Sequence, residues 1–253
     1  MQIVSGLTGV TQKNDIQVQK PISHLLIVKS GTVSGISHEY LQATIKGREI
    51  DQVISPKLKI SDLALISQFG NGYMLRQSGT GGILKSSYLI EISGGGSLNF
   101  AEQEYLSVGF EDLEAGAVYD IYGFESLTEY RAYIKYQSDN IPAGDPTSRI
   151  YVLGESTKML AIKNNGALAK ITLTGNNGKQ VTYYPEELQA IAREQNGMTV
   201  GPDTLVEGDM INQVIAGAST DFFFIPTVEF KSFELFTNNN IALNFIKTTI
   251  FSY

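Results

Sequence analysis

"KITLTGNNGKQVTYYPEELQAIAREQNG" (170–197) and "ATIKGREIDQVISPKLKISDLALISQFGNG" (43–72) share one layout at two places in a single chain. Each reads as a strand, a glycine-bearing turn, a second strand and a helix closed by glycine. In the later stretch Pro185 suits the first helical position, where its missing N–H is no loss, and Glu186 and Glu187 favour the positive helix start. Leu188, Ile191 and Ala192 make an apolar stripe, and Gly197 can end the helix in the left-handed conformation. In the earlier stretch Ser61 or Asp62 can cap, and Leu63 and Ile66 share a face with Leu65 and Phe69 close by. Gly70 or Gly72 can terminate that helix. Gly47 to Gly70 is 23 residues and Gly175 to Gly197 is 22, so the spacing agrees as well as the order.

Outward from these segments the chain alternates apolar and polar residues at strand length, and helical periodicity occurs nowhere else. "HLLIVKSG" precedes one segment and "KMLAIKNNG" the other. Each half closes on two aromatic-rich strands, "YLSVGFEDLEAGAVYDIYGFE" and "SFELFTNNNIALNFIKTTIFSY". The reading is a duplicated all-β chain with an N-terminal arm over 1–20, a first domain over 21–138, a linker over 139–149 and a second domain over 150–253. Short antiparallel strands with one helical insertion per half fit two tandem eight-stranded jelly rolls, the sandwich that limits exposed edges by wrapping two Greek keys into facing sheets. An immunoglobulin-like sandwich would announce itself by a Cys, Trp, Cys core, and the chain has neither residue.

On these paired segments, and over residues 21–253, the chain resembles the double jelly-roll major capsid proteins of tailless icosahedral viruses that enclose a membrane, the corticovirus-like marine bacteriophage type in particular. The resemblance is one of architecture, since the family has no short diagnostic motif. It implies a homotrimer whose six jelly rolls form a pseudo-hexagonal capsomer in an icosahedral virion shell. The implied partners are other copies of the chain, penton and minor capsid proteins, and a nearby inner membrane. At 253 residues there is little room for the tower loops of larger members. The other reading of such a sandwich is a receptor- or carbohydrate-binding module, a spike or minor capsid protein, with Tyr73, Tyr151 and Tyr183 as candidate loop aromatics.

Composition narrows the chemistry. Without cysteine there is no disulfide framework, thiolate metal site or cysteine nucleophile. Asp and Glu number 26 against 19 Lys and Arg, giving a net charge of -7 with no basic cluster, so direct nucleic-acid binding is not expected. No basic-then-apolar leader is visible at the N-terminus and no run approaches the ~20 apolar residues of a membrane span, so synthesis in the host cytoplasm is expected.

Catalytic constellations are missing too, and no enzymatic activity is expected. His24 and His38 are the only histidines, and their spacing matches neither a catalytic triad nor a zinc site. "GNGYMLRQSGTGGILKSS" (70–87), with Lys85, lacks the phosphate-loop order and reads as an adaptable inter-strand loop. No cofactor is expected beyond a structural calcium ion. Glu111, Asp112, Asp139, Asp145, Glu207 and Asp209 are the candidate ligands, with solvated turns the preferred reading of all six. "DFFFIPTVEFKSFELF" (221–236) holds Phe222, Phe223, Phe224, Phe230, Phe233 and Phe236. Three consecutive aromatics cannot all point to one side of a sheet, so this strand is either the candidate subunit or inter-domain interface or a strand buried on both faces within the chain.

Overall fold

The computed structural model describes residues 1–31, 38–47, 49–67, 74–78, 84–144, 148–195, 203–207, 210–214, 222–238 and 240–252. The chain forms two compact units, one of Met1–Lys135 with Thr199–Ala216 and Phe251–Tyr253, the other of Tyr136–Met198 with Gly217–Ile250. In chain order the elements begin with β1 (Gln2–Leu7), β2 (Gln12–Val18), β3 (His24–Gly31), β4 (Tyr40–Lys46), β5 (Gln52–Lys59) and α1 (Ile60–Ser67). There follow β6 (Met74–Ser78), β7 (Leu84–Glu91), β8 (Ser97–Leu98), β9 (Tyr105–Glu111), β10 (Val118–Phe124) and β11 (Glu129–Tyr130). Next come β12 (Ala132–Ile141), β13 (Ser148–Val152), β14 (Thr157–Lys163), β15 (Leu168–Gly175), β16 (Gln180–Tyr183) and α2 (Pro185–Gln195). The last strands are β17 (Asp203–Glu207), β18 (Met210–Val214), β19 (Phe222–Pro226), β20 (Phe230–Thr237) and β21 (Leu243–Ser252).

The second unit is an eight-stranded jelly roll of two four-stranded sheets, ordered β12-β21-β14-β19 and β13-β20-β15-β16. The first unit has the same plan: β1-β10-β3-β7 forms one sheet and β2-β9-β4-β5 the other. Numbered within each roll, the sheets are 1-8-3-6 and 2-7-4-5 in both, and both helices fall between the fifth strand and the sixth strand of this core. The first roll extends its larger sheet beyond β7 through β6, β18 and β17. Residues 199–216 thus belong to the first unit although they lie inside the second half of the sequence.

Alternation explains why these strands hold. On β3 the odd positions Leu25, Ile27 and Lys29 are buried and the even ones only half-buried, and on β10 Tyr119 and Ile121 face the same core. In the second unit Phe233, Leu235, Phe245, Leu160 and Ile162 centre the core. Phe233 meets Phe245 edge to face at 5.8 Å, and Tyr151 stacks on Phe233 at 5.0 Å.

Several sequence-based expectations change form. The stretch 1–20, read as an arm, instead supplies the first two strands of the first roll. Ile16 and Val18 turn inward there, and the Met1 ammonium donates to the Gly123 carbonyl at 2.9 Å. A register shift between Lys13 and Ile16, with Asp15 at φ 53°, breaks the alternation that would have marked β2 as a strand. The stretch 139–149, read as a linker, contains the end of β12 and the start of β13. The 70–87 loop contains β6 and opens β7, where Lys85 pairs with Ser30 and Arg76. Helix α1 starts at Ile60, directly from β5, so Ser61 and Asp62 lie inside it and do not cap it. The Ile60 N–H is answered by the Glu39 carbonyl at 3.0 Å. Helix α2 begins at Pro185 as the sequence predicts, while Gly70, Gly72 and Gly197 lie outside the described residues.

Candidate functional site

Lys29 stands at an inward position of β3 and is buried. Burying an ammonium is costly unless it is paired and hydrogen-bonded. Its Nζ lies 2.7 Å from Glu39 Oε1 and 2.7 Å from Glu114 Oε2. Glu39, fully buried ahead of β4, also accepts from the Tyr119 hydroxyl at 2.9 Å and from the His38 backbone N–H at 3.1 Å. Tyr119, opposite Lys29 in the β3–β10 register, accepts from the Glu114 N–H at 2.9 Å. Glu114, 28% exposed, is the member of the cluster that reaches water.

The surroundings shift two members of the cluster, Glu39 and Tyr119, in opposite directions. Burial alone would raise the Glu39 carboxyl, but hydrogen bonds from Lys29, the backbone and Tyr119 outweigh it and hold the group below its ordinary value. Burial, reinforced by the neighbouring Glu39 and Glu114 charges, pushes the Tyr119 phenol well above its ordinary range. A general acid or base must exchange its proton near working pH, and neither group is placed to do so. The cluster stitches β3, β10 and the segments before β4 and β10 together. Sequence reasoning missed it, although a lysine sharing the inward parity of Leu25 and Ile27 was the available signal.

The six phenylalanines are divided between surfaces. Phe223 and Phe233 enter the core of the second unit and Phe230 packs at its margin. Phe222 and Phe224 lie on the other face of β19, their rings 5.9 Å apart and both buried, with Lys163 Nζ 4.2 Å above Phe222. Phe236 points outward from β20, half-buried, under Lys170 Nζ at 4.3 Å. Burial by the chain itself leaves Phe222 and Phe224 little area to offer another subunit.

Among the described residues the candidate metal ligands are not gathered. Glu111 pairs with Lys57, whose Nζ is also 3.9 Å from Asp112 Oδ2, and the hydrogen bond with Glu111 raises the lysine above its ordinary value. Asp139 accepts from the Asn140 N–H at 2.8 Å. Glu207 is placed in β17 by its backbone, and Asp145 and Asp209 lie outside the described residues. Among the described residues no group of three or more acidic or histidine side chains converges as a metal site.

His24 Nδ1 lies 3.1 Å from Ser23 Oγ, and His38 Nδ1 lies 3.9 Å from Glu39 Oε2. Of the candidate loop aromatics, Tyr151 is turned into the core, where burial raises its phenol, and Tyr73 lies outside the described residues. Tyr183 lines an apolar cavity of about 350 Å³ with Leu188, Ile191, Phe224 and Pro226, between α2 and β19.

No protein-family model and no curated protein sequence matches this chain. Solved structures do. The major capsid protein of STIV is similar at a TM-score of 0.56 and 11% identity, over 99% of this chain and 94% of that one. The major capsid protein P2 of bacteriophage PM2 gives 0.56 at 9% identity, over 100% of this chain and 96% of that one. The atomic structure of Sulfolobus turreted icosahedral virus supplies a third, 0.55 at 11% identity over 97% and 87%. These neighbours are double jelly-roll proteins, and the double jelly roll is the fold of this chain.

Proposed function

We propose that this chain is a major capsid protein, a structural unit that works by assembly and not by catalysis. The observation that carries the reading is the repetition of one eight-strand order, with its helix at the same place, twice in one chain. Two similar domains per chain under threefold symmetry make a near-sixfold tile, which packs a flat lattice. Three copies then form a pseudo-hexagonal capsomer, and capsomers build an icosahedral shell around an internal membrane, with penton and minor capsid proteins at other positions. The whole-length likeness to viral major capsid proteins supports this reading. The buried pairing of Lys29 with Glu39 and Glu114 fits a structural role.

Light scattering on the purified chain, with and without calcium, tests the reading. The expected result is a trimer of ~83 kDa, three times 27.7 kDa, that forms sheets or shells as concentration rises. Stronger association with calcium would assign a bridging ion between copies, with Glu111 and Asp112 the first residues to substitute. A strict monomer at every concentration overturns the capsid reading in favour of a receptor- or carbohydrate-binding sandwich.

A further inference from the structure

A β-sandwich exposes two ends, and in the first unit they differ. At one end the short connections 19–23, 47–51, 92–104 and 124–131 come together. The Ser23 N–H donates to the Phe124 carbonyl at 2.7 Å, Ile22 bridges Leu98, and the Met1 ammonium reaches the Gly123 carbonyl. From the other sheet Gln52, the first residue of β5, accepts from the Tyr133 hydroxyl at 3.2 Å, and Tyr133 in turn bridges Ser93. Met1, Ile50, Phe124, Leu127 and Tyr130 are all exposed at this end, Leu127 completely. The opposite end, made of 8–11, 38–39, α1 and 112–117, exposes no large apolar side chain among the described residues.

Single exposed apolar side chains are ordinary, but their concentration at one end marks a binding surface. The stretch 124–131 is exposed at all eight positions and is still well anchored. β11 pairs with β8, the Ser97 N–H donates to the Thr128 carbonyl at 2.7 Å, and Asn99 Nδ2 donates to Glu129 Oε2 at 2.8 Å. A loop already ordered when free loses little entropy on binding.

Charge says what kind of partner fits. Exposed Glu49, Asp51, Glu102, Glu125 and Glu129 share this end, against exposed Lys20 and Arg131 among the described residues, while Lys46 is engaged by Asp15 at 3.6 Å. This acidic excess repels an anionic bilayer, whereas a segment carrying Lys or Arg beside apolar side chains matches both features of the surface. We infer that this end of the first unit binds a basic, apolar segment of another protein, with Phe124, Leu127 and Tyr130 against its apolar side and the carboxylates against its cations. The surface is complete on one copy, so the inference goes beyond the assembly reading and stands or falls without it.

A fluorescein-labelled synthetic amphipathic Leu-Lys peptide tests it by anisotropy, with Leu-Glu and Ser-Lys peptides of the same length as controls. The Leu-Lys peptide should bind saturably, about tenfold tighter than either control, and more weakly as salt rises. Leu127→Ser should weaken that binding about tenfold, as loss of an apolar anchor does. E49K/E125K should weaken it comparably and flatten the salt dependence. All three positions already face solvent, so the circular dichroism spectra should be unchanged. Equal binding of the Leu-Lys and Ser-Lys peptides, or binding untouched by L127S, would overturn the inference and leave only the general attraction of a chain of net charge -7 for cations. No peptide binding would also overturn it, and flotation with vesicles of phosphatidylcholine and phosphatidylglycerol, abolished in L127S, would then give the surface to lipid.

Discussion

Lys29 shows how a single residue fixes part of this fold. It stands where the parity of β3 calls for an apolar side chain, and its charge is tolerated because two carboxylates and a phenol ring surround it. Lys29→Met removes the cation and leaves Glu39 buried without its main partner, so a loss of roughly 3–5 kcal/mol is expected from denaturant titration. Adding Glu39→Leu removes the stranded charge, and the double variant should recover most of that loss. The pH dependence has a definite sign. A carboxyl held below its ordinary 4.5 contributes stability that is fully present above that value and fades as the pH falls through the lower folded value. Melting temperatures should therefore drop below about pH 4.5, and E39Q should be less stable at neutral pH but lose less on acidification. An E39Q acid limb as steep as the parent's would assign the acid sensitivity elsewhere. The cluster escaped sequence reading because its acidic members come from irregular segments 10 and 85 residues beyond Lys29, where no periodicity tells which carboxylate turns inward.

Helix α2 is the element the sequence described best, and its start shows why. Pro185 occupies the first helical position, the Tyr184 carbonyl accepts from the Leu188 N–H at 3.0 Å, and Glu187 reaches back to the Tyr184 N–H at 2.8 Å. That is one half of a capping box; the other half is missing because a tyrosine at the cap position has no oxygen near the helix N–H groups. Glu187→Ala should cost about 0.5–1 kcal/mol in thermal or chemical unfolding, and Tyr184→Ser should gain a comparable amount by completing the box. A Tyr184→Ser variant less stable than the parent would show that the half-exposed ring contributes more than the cap. Strands were harder to read. β3, β9 and β10 follow the alternation closely, whereas β2 hides behind its register shift and only Ile16 and Val18 mark its buried side. Gly47 shows a constraint the sequence signals only as a turn: its φ is 96°, and a Cβ there would meet the Gln103 carbonyl oxygen at 2.0 Å.

At the scale of the whole molecule the duplication was legible because each roll carries one helix at one place, flanked by glycines at matching spacing. The excursion 199–216 was not. Gly208-Asp209 between two short apolar runs is a hairpin signal, yet nothing local says that the hairpin completes the sheet of the other unit. Its partner β6 lies in a glycine-rich stretch whose own strand character is weak. Charge is a different kind of whole-molecule property, readable from composition alone and tied to the proposed shell. A coat that touches its genome must neutralise phosphates, and each neutralised phosphate leaves a salt-dependent signature in affinity. A chain of net charge -7, with Lys29 and Lys57 already engaged by carboxylates, has little cationic surface to spend on that contact. Fluorescence anisotropy with labelled duplex and single-stranded DNA at low salt should show binding no tighter than about 10⁻⁴ M, the weak end of non-specific association. Micromolar binding that weakens steeply with salt would place the genome against this protein and remove the lipid layer proposed between them.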